Sequence, residues 1–205
     1  MHEEVLLPGA RDVRGVCDRA DEETRADACV VACHPHPQHG GNKSDRRLVS
    51  LGAALTERGV DCLRFDYGEW DEGYGELEDA RNAVRWAAER YDRVGLFGYS
   101  FGGCIALLTA ATVDENIAAV SVLAPAPRLA ADLDAVAALD EIRCPVQVCY
   151  GERDDLVDWR PVVDAAGERG FETHAFGADH HFVGQQEKIA AVVSGYLVPV
   201  LGDSA

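Results

Sequence analysis

From residue 28 onward, short apolar runs alternate with amphipathic stretches. Residues 28–33, ACVVAC, form a valine-rich run that ends at the loop HPHPQHGGNKSD. A run apolar on both faces predicts a buried parallel strand. Residues 45–58 carry Leu48, Leu51, Ala54 and Leu55 at spacings of three and four. With Asp45 placed to cap the start and Gly59 to close the end, this segment predicts a helix. The alternation continues as strand 60–65, an acidic Gly-rich loop 66–75, helix 76–90, strand 94–97, helix 102–111 and strand 118–123. Strand 146–150, helix 159–170, strand 172–176 and helix 184–198 complete it. Such an order predicts an α/β fold: a mostly parallel central sheet with helices on both faces and active residues at the carboxyl ends of the strands. Ahead of it, residues 1–27 alternate weakly, with VLLPG and DVRGVC reading as an initial hairpin before the charged stretch DRADEETRAD.

Composition narrows the picture. The 205 residues contain no long Pro/Gly/Ser linker, so a single domain spanning 1–205 is expected. A net charge of -17 repels nucleic acid and anionic membranes, so neither is an expected partner. No apolar run is long enough to span a bilayer, and MHEEVLLPGA lacks the basic flank and long apolar stretch of a signal peptide, which predicts a cytoplasmic protein. The cysteines, seven in all, lie mostly in apolar runs and read as buried free thiols. Lysine occurs only at Lys43 and Lys188. An acidic, Lys-poor, Ala-rich balance predicts a high-salt cytoplasm, where the self-repulsion of the surface is screened.

Chemistry concentrates at a few strand ends. After strand 94–97 comes GYSFGG, a G-x-S-x-G match centred on Ser100. A serine held on a tight strand-to-helix turn needs small residues two before and two after it, and its hydroxyl then stands beside a helix N-terminus. Ser100 is therefore the candidate nucleophile. It needs a histidine base and a carboxylate that fixes the imidazole tautomer, in the chain order Ser, acid, His. GERDDLVD, after strand 146–150, offers Asp154, Asp155 and Asp158, of which Asp158 reads as the N-cap of the helix near Trp159. GADHHF, after strand 172–176, offers His180 and His181. An oxyanion needs two backbone donors, one from Phe101, which follows the serine. The other is expected in His34-Pro35-His36-Pro37, where only His36 among residues 35–37 can donate, because proline has no N–H. His34, His36 and His39 form a dense cluster, but no nearby carboxylate or cysteine completes a four-ligand set, so no metal and no cofactor is expected.

HPHPQHGG, LRFDYGEWDEG, GYSFGG, YGERDD and GADHHF, in this order, resemble the small α/β-hydrolase-superfamily proteins with an HPHP-x-x-GG loop, labelled dienelactone-hydrolase-like. The resemblance implies an α/β-hydrolase fold and a triad of Ser100, Asp154 and His180, with oxyanion amides on His36 and Phe101. It departs at Phe65-Asp66-Tyr67-Gly68, where relatives carry Asn-Phe-Arg-Gly, and dienelactone hydrolases proper use a cysteine nucleophile. Residues 124–144 are enough for a connection and one or two helical turns, so no separate lid domain is expected. The expected site is open and shallow and takes a small acyl substrate, an ester or thioester. Tyr99, Trp70, Tyr74 and Phe182 are its candidate walls, each with core packing as the rival role. The same triad permits amide or peptide hydrolysis. A non-catalytic ligand-binding protein is the remaining reading.

Overall fold

The computed structural model describes residues 2–21 and 26–202; Met1 and 22–25 of the first hairpin segment lie outside them. Strands β1 (His2–Leu6) and β2 (Arg14–Asp18) form the expected antiparallel hairpin. Then follow β3 (Ala28–Cys33), α1 (Arg46–Thr56), β4 (Asp61–Phe65), α2 (Tyr74–Ala88), β5 (Arg93–Tyr99), α3 (Phe101–Thr112) and β6 (Ile117–Leu123). The chain continues through a ribbon of β7 (Arg128–Ala130) and β8 (Leu133–Asp134), then α4 (Ala135–Ala138), β9 (Val146–Gly151), α5 (Arg160–Glu168), β10 (Glu172–Phe176) and α6 (Gln186–Gly202).

Eight strands form one sheet in the order β1-β2-β4-β3-β5-β6-β9-β10. The hairpin joins β4 antiparallel, and every pairing from β4 to β10 is parallel. Every residue of β3 and β4 is buried, as a strand covered on both faces requires. One face packs against α2, α3, α4 and α5 through residues such as Leu77, Val84, Ile105, Ala135 and Val162. The other packs against Leu48, Leu51 and Leu55 of α1 and Ile189, Val193 and Leu197 of α6. All seven cysteines are free thiols, and six are buried; burial pushes the Cys33 and Cys104 thiols up to about 12.

Asp45 caps α1, accepting from the Arg47 amide at 2.9 Å. Two of the boundaries that differ from expectation have a visible cause. Asp158 is exposed and does not cap α5; Trp159 holds the N-cap position without a side-chain hydrogen bond, its ring stacked on Tyr150 at 4.2 Å. An aromatic stack fixes this helix start where a carboxylate cap was expected. Helix α6 runs past Pro199, because Leu197 and Leu201, four residues apart on one face, are both buried. Arg93 Nη1 also donates to the Leu201 carbonyl at 2.8 Å, which holds the last turn. The β7–β8 ribbon within residues 124–144 was not anticipated.

Candidate active site

Ser100 joins the end of β5 to the start of α3 with φ 56° and ψ -115°, a left-handed turn that L-residues avoid unless their surroundings enforce it. The surroundings are backbone. A Cβ at Gly98 would stand 2.1 Å from the Gly102 carbonyl oxygen, and one at Gly102 would stand 2.2 Å from that of Cys33. Ser100 N donates to the Leu123 carbonyl at 2.8 Å, and the Ser100 carbonyl accepts from Gly103 and Ala126. The turn is thus pinned between two strands and a helix, with Ser100 part-exposed above the sheet.

Asp154 and His180 arrive from the next strand ends. Asp154 is buried three residues past β9's start of turn at Gly151; its Oδ1 accepts from the amides of Leu156 and Val157, both at 3.0 Å. Its Oδ2 lies 2.6 Å from His180 Nδ1. An ionised carboxylate only accepts, so Nδ1 carries the proton and Nε2 is free to accept from the Ser100 hydroxyl, 2.9 Å away. Of the other candidates, Asp155 and Asp158 are exposed, and His181 sits on the rim, its amide donating to Asp179 Oδ1. Beneath the histidine loop, Phe182 is buried at φ 47° against Tyr99 and Phe176; it anchors the loop and is not a wall.

Two residues outside this hydrogen-bonded line hold that loop. Tyr99 OH donates to the His180 carbonyl at 2.7 Å, and Arg47 Nη1 donates to the His181 carbonyl at 2.7 Å. The Arg47 guanidinium lies 4.2 Å from the Tyr99 ring centroid and is forked onto Asp45. Burial pushes the Tyr99 phenol up to about 12, so it remains a donor at neutral pH. Arg47 carries no motif and was missed in the sequence; its position two residues inside α1 was the only available signal.

The HPHP loop divides its histidines by role. His34 is buried: its Nδ1–H donates to the Pro35 carbonyl at 2.6 Å, and its Nε2 accepts from the Tyr67 amide at 3.4 Å. Burial lowers its pKa and keeps it neutral. The His36 ring lies between His39 and Trp70, with centroids at 4.4 and 4.6 Å. His36 and Phe101 line the same cleft as Ser100, and neither amide donates to an acceptor among the described residues. No group of three metal-ligating side chains occurs among the described residues. At the departure from Asn-Phe-Arg-Gly, a guanidinium still reaches the loop after β4. Arg11, from the first hairpin, donates from Nε to both carboxylate oxygens of Asp79 and from Nη2 to the Glu69 carbonyl, while Asp79 also accepts from Gly68 N at 2.9 Å.

The cleft has a volume of about 480 Å³. Tyr99, Ser100 and His180 line it, and its apolar side is Ala126, Leu129, Leu156 and Val157, none of which the sequence marked. Trp70 and Tyr74 line a separate chamber beyond it.

Residues 66–194 match the family model described as the dienelactone hydrolase family. The chain belongs to that family. The matched span holds Ser100, Asp154 and His180 and excludes the HPHP loop. Among solved structures, an α/β serine hydrolase homologue from Coxiella burnetii is 26% identical with a TM-score of 0.79, covering 95% of this chain and 97% of that one. An α/β serine hydrolase without lid from Xanthomonas campestris is 21% identical with a TM-score of 0.80, covering 100% and 97%. The uncharacterized protein RP471 of Rickettsia prowazekii is 24% identical over 200 residues, 83% of this chain and 79% of its own. The fold is therefore the α/β-hydrolase fold without a lid domain, and this dienelactone hydrolase family member is an α/β-hydrolase enzyme. No helix among the described residues is long and apolar enough to cross a membrane.

Proposed function

We propose that this family member hydrolyses carboxylic esters or thioesters of small acyl groups through an acyl-Ser100 intermediate. The observation that carries the reading is the continuous hydrogen-bonded line from Asp154 Oδ2 through His180 to Ser100 Oγ, at 2.6 and 2.9 Å. In the first half-reaction His180 Nε2 takes the Ser100 proton as the oxygen attacks the acyl carbon. The buried Asp154 carboxylate stabilises the imidazolium that forms. The amides of His36 and Phe101 receive the carbonyl oxygen as it becomes an oxyanion, one in a loop stiffened by Pro35 and Pro37 and one at a helix N-terminus. His180 then gives its proton to the leaving alcohol or thiol. A water repeats the cycle on the acyl-enzyme, with His180 as base. No step requires a cofactor or a metal.

A fluorophosphonate probe tests the nucleophile, with Ser100→Ala as the control. Wild type is expected to label and to cleave acetyl and butyryl esters, and Ser100→Ala to do neither. Wild-type protein that stays unlabelled would sink the serine-hydrolase reading, whereas faster cleavage of aryl amides than of the matching esters would move the substrate class to amides.

A further inference from the structure

Next to the cleft that holds Ser100 lies a second chamber of about 340 Å³. The two cavities share three lining residues: His36, Phe101 and Leu129. Trp70, Glu72, Tyr74 and Ala130 line only the second chamber. His36 and Phe101 are tied to the oxyanion loop and the nucleophile turn, so Leu129 is the one shared residue free of that machinery. It stands on the short β7–β8 ribbon. This ribbon is fixed at several points. Its stem begins at Ala126, whose amide donates to the Ser100 carbonyl at 3.2 Å. Tyr74 OH donates to Asp132 Oδ1 at 2.6 Å, and Arg128 pairs with Asp134. At Gly73 a Cβ would stand 3.2 Å from Leu129 Cδ1 and 2.9 Å from Leu133 Cδ1, so the ribbon is seated directly on the start of α2.

The direction of the chemistry says which part of a substrate meets this wall. His180 must protonate the leaving group, so the alcohol or thiol lies on the His180 side. On that side the cleft opens, past Asp45, Arg47 and His181, into a trough of about 720 Å³ that can take the leaving group. The acyl group then points away from His180. The second chamber is on that far side: neither His180 nor His181 lines it, and the two oxyanion residues do. An acyl chain longer than the cleft must therefore pass Leu129.

We infer that Leu129 is the acyl-length determinant of the site: it closes the cleft against a chamber walled by the rings of Trp70, Tyr74 and Phe101, with Glu72 beside them, and restricts the enzyme to short acyl groups. The inference rests on the acyl-enzyme reading above and assigns the substrate class within it. Removing the side chain joins the two cavities, and apolar burial of additional methylenes then favours medium-length chains.

The test compares wild type with Leu129→Ala on p-nitrophenyl esters from acetyl to decanoyl, alongside a series of acetyl esters of increasing alcohol size. The expected result is a rise of about tenfold in kcat/KM for octanoyl relative to acetyl in Leu129→Ala, with the alcohol series unchanged. Leu129→Val, a milder truncation, moves the acyl profile the same way by less and serves if the Ala variant unfolds. An unchanged acyl profile in a folded variant overturns the inference, as does a shift in the alcohol series in its place. Calorimetric binding of the octanoyl ester in a Ser100→Ala background reads the chamber without turnover: binding about tenfold tighter with Leu129→Ala supports the gate, and equal binding removes it. Failure of the catalytic reading appears separately, as unlabelled wild-type protein.

Discussion

At Ser100 the backbone is strained by design of its neighbours. The φ of 56° persists because Gly98 and Gly102 let strand, turn and helix approach to distances no side chain tolerates. Gly98→Ala puts a methyl carbon 2.1 Å from a backbone oxygen, which cannot move as a flexible side chain would. We expect a loss of more than about 3 kcal/mol in urea denaturation, or no soluble protein. A conservative change nearby should act mainly on rate. Tyr99→Phe removes the 2.7 Å bond to the His180 carbonyl and the 3.2 Å bond from Arg47 Nη1 but keeps the ring under Arg47. A net loss of about 1 kcal/mol lowers kcat roughly fivefold, with KM unchanged, and lowers the melting temperature by only about 2–4 °C. His34 supplies a pH signature in stability. Burial holds its folded pKa below the ordinary 6.5, so at low pH the unfolded chain binds a proton that the folded chain refuses. That contribution is complete above about pH 6.5 and is lost as pH falls below it. His34→Asn should flatten this part of the pH-stability curve in denaturant titrations between pH 7 and 5; a parallel curve would show that other groups set it.

Elements built on apolar periodicity were legible in the sequence, and those built on contacts across the chain were not. The strands 28–33 and 172–176 coincide with β3 and β10 because their limits are set by the strands' own residues and flanking loops. The order of Ser100, Asp154 and His180 was readable for the same reason: each sits at a strand's carboxyl end, which the alternation of elements already marks. The ribbon was not readable, because its strands are three and two residues long and are held by Tyr74 and Gly73 of a distant segment. The start of α5 was misread because the Trp159 ring stacks on Tyr150 from the preceding strand, a contact with no local sequence pattern. Arg47 belongs to the same class. It joins α1 to the histidine loop, and only a planar guanidinium can fork onto Asp45 while still reaching the His181 carbonyl. Arg47→Lys keeps the charge and loses that geometry. We expect a several-fold fall in kcat, an unaltered fluorophosphonate-accessible Ser100, and faster amide exchange through residues 179–184; exchange at the wild-type rate would show that α1 does not hold the loop.

Over the whole molecule, the charge sets a conflict between long-range repulsion and short-range pairing. A net charge of -17 on 205 residues favours expansion of the chain at low ionic strength. Against it stand ion pairs of two kinds. Exposed ones, such as Arg14 with Asp12 and Arg143 with Glu141, contribute little and are screened along with the repulsion. The more buried ones are less screened by salt: Arg64 forks onto Asp18 at 2.6 and 2.9 Å and ties β2 to β4, and the half-buried Arg11 holds the buried Asp79 at 2.9 and 3.0 Å and ties the first hairpin to α2. Raising salt therefore removes the repulsion and spares the pairs that matter to the fold. Between 0.1 and 2 M the Debye length falls from about 10 Å to under about 3 Å, shorter than most spacings between surface charges. A gain of about 2 kcal/mol on this account raises Tm by roughly 4–8 °C for a chain of this size. Sodium chloride and potassium chloride should act alike, since screening depends on ionic strength, whereas sulfate adds its own exclusion effect and makes a poor probe. Scanning Tm against concentration of the two chlorides reads the balance directly. A flat or falling curve would mean that surface pairing outweighs net repulsion, and the case for a high-salt working environment would go with it.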